Sequence, residues 1–324
     1  MGKILVSATH FDTLCKDAWD LLEKNGHEVI YDSTRQFPAY SFQELKEILP
    51  EMDAALIGMD NYNEEVFCLA PKLKAVAKFG VGVDNIDGKA AREHGVQVIN
   101  APGQNSESVA ELTIAFMLDA LRNILPLSKS IAQGQWVRSI GMEISDKTIG
   151  LIGFGEIGKR VARILKGFNA RVLANDLVPD AEAAKALGVR MTDKEEIVRT
   201  CDIISLHIPS SAETYHLFDE KMFEKMKEGS YLINTARGAL VDTDALCSTL
   251  QKGHLAGAAL DAYENEPLGK ESPLLQCPNV ILTPHTGAET KEAYRRVSLT
   301  VCQDICSVLA GKKPLHCTNE TEEE

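Results

Sequence analysis

Thr148-Ile149-Gly150-Leu151-Ile152-Gly153-Phe154-Gly155-Glu156-Ile157-Gly158 decides how this chain folds. The first five residues read as a short buried strand, and Ile157, Val161, Ile164 and Leu165 follow at helical spacing. Strand, glycine turn and helix thus come in the order that a dinucleotide's pyrophosphate requires. Gly153 permits the tight turn, Gly155 lets phosphate approach the backbone, and Gly158 lets helix and strand pack closely. The helix amino terminus then faces the phosphates.

A second strand, Arg171 to Asn175, leads to Asp176, near the offset of about 20 residues at which an acid meets the ribose 2′-hydroxyl. An acid there repels a 2′-phosphate, and Leu177-Val178-Pro179 offers no cation, so the expected cofactor is NAD rather than NADP.

Outward from this unit the chain alternates strand and helix. Strands are expected at 4–7, 28–31, 54–57, 75–79 and 96–99, then at 148–153, 171–175, 203–207, 231–234, 258–261 and 280–283. Such alternation means parallel sheets with helices on both faces. The fold class is therefore α/β, with two doubly wound parallel-sheet domains of the Rossmann-like or flavodoxin-like kind. The helix expected at 291–310 has no sheet of its own, which suggests that it returns to the first domain. The cofactor domain, 100–286, would then be inserted into a discontinuous substrate domain, 1–99 plus 287–317. The two crossings would act as a hinge, and 318–324 would form an acidic disordered tail.

Composition narrows the partners. The chain has 324 residues, 44% hydrophobic and 25% charged, with a formal net charge of −13. Glu320, Glu322, Glu323 and Glu324 supply part of that charge. The sign argues against nucleic acid and against an anionic membrane. The most apolar helix candidate, 109–125, carries Glu111, Asp119 and Arg122, so it fits a buried helix better than a membrane span. Met1-Gly2-Lys3 runs straight into Ile4-Leu5-Val6 without a secretion signal, and a cytoplasmic protein is expected. The eight cysteines are scattered with no Cys-x-x-Cys, so neither a metal nor a disulfide is expected.

The later motifs carry a resemblance. Lys78-Phe79-Gly80-Val81-Gly82-Val83-Asp84-Asn85, Asn100-Ala101-Pro102-Gly103, Ser108-Val109-Ala110-Glu111, Asn234-Thr235-Ala236-Arg237-Gly238, Asp261 to Pro267 and Thr283-Pro284-His285 occur in that order. Together they resemble the D-2-hydroxyacid dehydrogenase family, over residues 50 to 310 or so. The style is closest to short D-3-phosphoglycerate dehydrogenases without a regulatory domain.

Reducing a 2-oxo acid needs a cation to hold the carboxylate, a proton donor for the developing alkoxide and a hydride. Arg237, whose planar guanidinium can clamp a carboxylate bidentately, suits the first task. His285 suits the second, because an imidazole exchanges protons near neutral pH. Glu266 matches the family's catalytic glutamate and would hydrogen-bond the ring, with Glu264 as its rival.

The resemblance further implies that Asp261, Glu156, Ile157, Ile208, Thr235 and Ala236 line the cofactor, and that Val81, Gly82 and Asn105 contact substrate. His207 has a bland reading as a packing residue at the cofactor edge. His94 reads as a helix-end residue, and His10 as one that could reach the cleft. His27, His216, His254 and His316 read as surface positions. Trp136 reads either as a core residue or as part of a homodimer contact through the cofactor domain.

The substrate stays open between phosphoglycerate with its 2-oxo partner and an unphosphorylated acid such as hydroxypyruvate or glyoxylate. Lys78 offers one positive charge to a phosphate, whereas Asp60 would oppose it. An NAD-sensing, corepressor-like binding protein is the reading from another class.

Overall fold

The computed structural model describes residues 1–319. Chain contacts divide it into two compact units, Met1–Asn105 with the residues from Ala288 onward, and Ser106–Gly287. The first crossing falls later than strand endings alone suggest. Asn100 donates its side-chain N–H to Val81 O at 2.7 Å and Ala101 N–H reaches Gly80 O at 2.8 Å, which keep the segment after residue 99 with the first unit. At the second crossing, Gly287 stays with the second unit because its N–H donates to Asp261 at 2.7 Å.

The first unit holds strands β1 (Lys3–Val6), β2 (Glu28–Tyr31), β3 (Ala54–Ile57), β4 (Ala75–Lys78) and β5 (Gln97–Ile99). They form a five-stranded sheet in the order β2-β1-β3-β4-β5, every pairing parallel. This is the flavodoxin-like order. β3 is buried at all four positions, as a central parallel strand must be when helices cover both faces. The helix Lys291–Leu309 packs on the helix Lys16–Lys24 and on β4, burying Tyr294, Val297, Val301 and Ile305.

The expected disordered tail is corrected at its start. Thr318 N–H donates to Val98 O at 2.8 Å, Asn319 Oδ1 accepts from Val98 N at 2.9 Å, and Cys317 forms an antiparallel bridge with Ile99. Residues 317–319 therefore cover the free edge of β5, which would otherwise present unpaired backbone groups. Positions 320–324 of that expectation lie outside the described residues.

The second unit holds β6 (Thr148–Ile152), β7 (Arg171–Asn175), β8 (Arg190–Met191), β9 (Ile203–Leu206), β10 (Tyr231–Asn234), β11 (Gly257–Leu260) and β12 (Val280–Leu282). Its order is β12-β11-β10-β9-β6-β7-β8, again parallel throughout. Counted from β6 this is the Rossmann order 3-2-1-4-5-6 with one further strand. The sheet has seven strands rather than the expected six, because β8 is two residues long and leaves no periodic signal. The apolar helix also differs from expectation. It spans Ser106–Arg122, breaks at Asn123 in a left-handed conformation (φ 54), and resumes at Ile124–Ala132.

The strand order reverses between β6 and β9, and ligands of such sheets bind beyond the carboxyl ends at that switch point. Gly153, Asp176, His207, Thr235 to Arg237, Asp261 and His285 all follow the carboxyl ends of strands in this one sheet.

Candidate active site

The glycine turn is built by close approach. Gly153 has φ +102, and a Cβ there would stand 2.5 Å from His207 O. A Cβ on Gly158 would stand 2.3 Å from Gly153 O, so the helix Glu156–Gly167 can begin against the turn only with glycine at 158. Gly155 differs: nothing lies within 4 Å of its absent side chain. That open face at the head of a twelve-residue helix fits a pyrophosphate.

Asp176 stands across the turn, accepting from Phe154 N–H at 2.6 Å and from Val178 N–H at 3.0 Å. Ile157 and Ile208 are half-buried against the core on the two sides of the sheet. The Glu156 carboxylate turns back to Arg160 at 2.6 Å, so only its backbone faces the turn's opening.

Beyond β10, Asn234 shapes the turn that presents Arg237. Its Oδ1 accepts from Ala236 N–H at 3.0 Å and its Nδ2 donates to Arg237 O at 2.8 Å. Thr235 is buried, its hydroxyl 2.9 Å from that of Thr113, and Ala236 packs on the core. A Cβ at Gly238 would lie 1.8 Å from the Tyr263 carbonyl carbon. The Arg237 loop thus lies directly against the segment that carries Glu266. Arg237 itself is half-buried, and its Nη1 donates to Ala236 O at 2.8 Å.

Glu266 and His285 meet as expected from the sequence. Glu266 Oε2 is 2.7 Å from His285 Nδ1, and its Oε1 accepts from Tyr263 N–H at 2.9 Å. Burial alone would raise the Glu266 pKa. The hydrogen bond and charge of His285, the Tyr263 N–H and the charge of Arg237 outweigh it and hold the carboxyl below its ordinary value. The rival, Glu264, is engaged elsewhere, 2.5 Å from His216 Nε2 and accepting from Thr243 N–H at 3.1 Å. His216, expected at the surface, is therefore half-buried and hydrogen-bonded to Glu264.

Asp261, expected to line the cofactor, also braces a turn. It is 2% exposed, and both oxygens are taken. Oδ1 accepts from the Thr283 hydroxyl at 2.5 Å and from Thr286 N–H at 2.8 Å, while Oδ2 accepts from Gly287 N–H at 2.7 Å. These bonds brace the turn in which His285 holds a left-handed backbone (φ 54). A strained conformation of that kind persists only where its surroundings over-determine it. Tyr263 adds to the frame, its hydroxyl donating to Leu260 O and Thr283 O at 3.1 and 2.8 Å. These bracing roles of Asn234, Asp261 and Tyr263 depend on which strand ends are neighbours, which sequence spacing does not encode.

His207 is half-buried, with Nε2 2.9 Å from the Ser205 hydroxyl and a buried Nδ1 without a hydrogen-bond partner. Burial pushes its pKa down to about 3, so it is neutral and contributes no charge beneath the glycine turn.

Val81, Gly82 and Asn105 belong to the first unit. Val81 O accepts from Asn100, Gly82 is half-buried, and the Asn105 side-chain oxygen is buried without a hydrogen-bond partner. In the same unit Asp60, expected to oppose a phosphate, is turned away from solvent. Asp60 is 1% exposed and points inward, bonded to the Ser7 hydroxyl, to Tyr40 N–H at 2.7 Å and to Gly58 N–H at 3.2 Å. Lys78 donates to Gly58 O and, at 3.1 Å, to Asn85 Oδ1. His10 is exposed in a left-handed conformation at a helix start.

Comparison with known proteins now adds to this geometry. Residues 114–287 match the NAD binding domain of the D-isomer specific 2-hydroxyacid dehydrogenases. The chain belongs to this family. Among family members, D-3-phosphoglycerate dehydrogenase of Archaeoglobus fulgidus is 38% identical over 312 residues, covering 95% of this chain and 58% of the relative. Glyoxylate reductase of Thermofilum pendens is 36% identical, covering 90% and 88%. The apo-structure of D-lactate dehydrogenase from Escherichia coli superposes with a TM-score of 0.86 at 31% identity, covering 98% and 99%. The chain spans about half the length of the phosphoglycerate dehydrogenases it matches (58%, 44% and 58%).

Proposed function

We propose that this protein is an NAD-dependent D-2-hydroxyacid dehydrogenase. The observation that carries the reading is the Glu266–His285 pair, set beside the Arg237 loop at the carboxyl edge of the same sheet that holds the open glycine turn. Gly153, Gly155, Gly158 and Asp176 would hold NAD, which when bound supplies or accepts the hydride.

The protein's own part is to place charge and move one proton. Arg237 holds the substrate carboxylate. With Nδ1 committed to Glu266, His285 exchanges its proton at Nε2, giving it to the carbonyl oxygen as that oxygen becomes an alkoxide. In the oxidative direction Nε2 takes the hydroxyl proton back. Glu266, kept ionised, accepts from Nδ1 and fixes the ring. Asp261 acts through the turn it braces and is a positioning residue.

The preferred substrate is 3-phosphohydroxypyruvate with D-3-phosphoglycerate as its reduced form. Asp60 is turned inward and engaged by hydrogen bonds rather than facing solvent, and relatives of that name reach 38–40% identity. Unphosphorylated acids of the hydroxypyruvate and glyoxylate kind are the second reading. It is favoured by the Lys78 hydrogen bonds to Gly58 and Asn85 and by glyoxylate reductases that match over most of their length.

The working form is a cytoplasmic homodimer. Ile124, Leu125 and Ile131 on the helix after Asn123, with Trp136, Val137 and Ile140 beyond it, are all more than half exposed, an apolar face of the kind that a second copy covers. Trp136, at 86% exposure, is no core residue. Among the described residues no helix is long and apolar enough to cross a membrane.

The decisive mutant is His285→Ala. Turnover should fall by about 10²–10⁴-fold while NADH affinity stays within about twofold. Near-normal turnover would remove His285 from the mechanism.

A further inference from the structure

We propose that Glu64, Cys68 and His94 form a zinc(II) site on the first unit. Glu64 and Cys68 open and close the helix Glu64–Cys68 and, four residues apart, share one face. His94 caps the carboxyl end of the helix Gly88–Glu93. His94 Nε2 lies 2.9 Å from Glu64 Oε1, Cys68 Sγ lies 3.5 Å from the same oxygen, and the three donor atoms all fall within 4.8 Å of one another.

The site has elements of construction. The His94 ring stacks on buried Phe67 with centroids 6.0 Å apart and planes inclined by 27°, which fixes the direction of Nε2. Asn63 accepts from Val66 N–H at 3.1 Å and fixes the start of the helix that carries the other two donors. A sulfur, an imidazole nitrogen and a carboxylate oxygen are the donors that zinc takes in mixed tetrahedral sites. Bonds of about 2.0–2.3 Å place such donors roughly 3.3–3.8 Å apart, so the side chains need only small rotations. All three residues are exposed, which leaves the fourth position to water.

Without metal, protons hold the cluster together. His94 and Cys68 each hydrogen-bond to the Glu64 carboxylate. Zinc replaces those protons. The thiol proton leaves to solvent, and the imidazole binds through Nε2 with its remaining proton on Nδ1. Sequence spacing hides the site, since His94 comes from a different helix.

The test titrates chelator-treated full-length protein with Co²⁺ as the spectroscopic stand-in for zinc. The expected result is one ion per chain with a thiolate-to-cobalt charge-transfer band, abolished by Cys68→Ser and reversed by added Zn²⁺. His94→Ala and Glu64→Gln should each weaken binding by at least about tenfold. In the unaltered chain, zinc should protect Cys68 from alkylation as read by peptide mapping. Absence of the band, its persistence in Cys68→Ser, unchanged affinity in either other variant, or alkylation unaffected by zinc would each overturn the proposal.

Discussion

At the scale of single residues, the proposed chemistry rests on one carboxylate that must stay charged. The folded-state pKa of Glu266 is held below its ordinary value, so its contribution to stability is complete above the unfolded glutamate value of about 4.3 and is lost as pH falls through the lower folded one. Replacing Glu266 with Gln should therefore cost about 1–3 kcal/mol at neutral pH, with the difference vanishing at acid pH, as measured by urea unfolding across a pH series. Turnover in the same variant should also fall, because the His285 ring loses the charged acceptor that holds Nδ1. Much of this site was legible in the sequence. Arg237, Glu266 and His285 each sit in a short motif whose chemistry is specific. The destinations of Asp60, Glu264 and Asp261 were not legible, because each carboxylate is claimed by groups distant in the chain: Ser7 and Tyr40, His216, and Thr286 with Gly287.

At the scale of elements, the glycine turn separates two demands that the motif alone merges. Gly158 answers to packing, with its absent Cβ 2.3 Å from Gly153 O, whereas Gly155 faces open space. Gly158→Ala should destabilise the second unit by about 1–3 kcal/mol and weaken NADH binding with it. Gly155→Ala should leave the urea midpoint close to that of the parent chain and weaken NADH binding by itself, read by fluorescence titration. Equal loss of stability in both would contradict the distinction. Strands of three or more residues were readable in the sequence to within a residue or so. The two-residue β8, the break at Asn123 and the cover of β5 by residues 317–319 were not, since length, backbone handedness and edge protection leave no periodic trace.

At the scale of the whole molecule, the alternation of strand and helix foretold two parallel sheets, and the strand orders 2-1-3-4-5 and 3-2-1-4-5-6-7 are the forms they take. The exposed apolar face around Ile131 and Trp136 belongs to this scale too. Ile131→Asp should convert a dimer to a monomer in light scattering coupled to size exclusion, and an unchanged mass would place the dimer contact elsewhere. Arg237, Glu266 and His285 are proposed to support hydride transfer between NAD and a 2-hydroxy acid. The most direct test of that role is consumption of NADH and of NADPH by the purified protein with phosphohydroxypyruvate, hydroxypyruvate, glyoxylate and pyruvate. Turnover of at least one acid is expected, with NADH strongly preferred and phosphohydroxypyruvate the best substrate. Tight NADH binding with no turnover of any of them would contradict that role and point to a protein that senses the cofactor rather than using it.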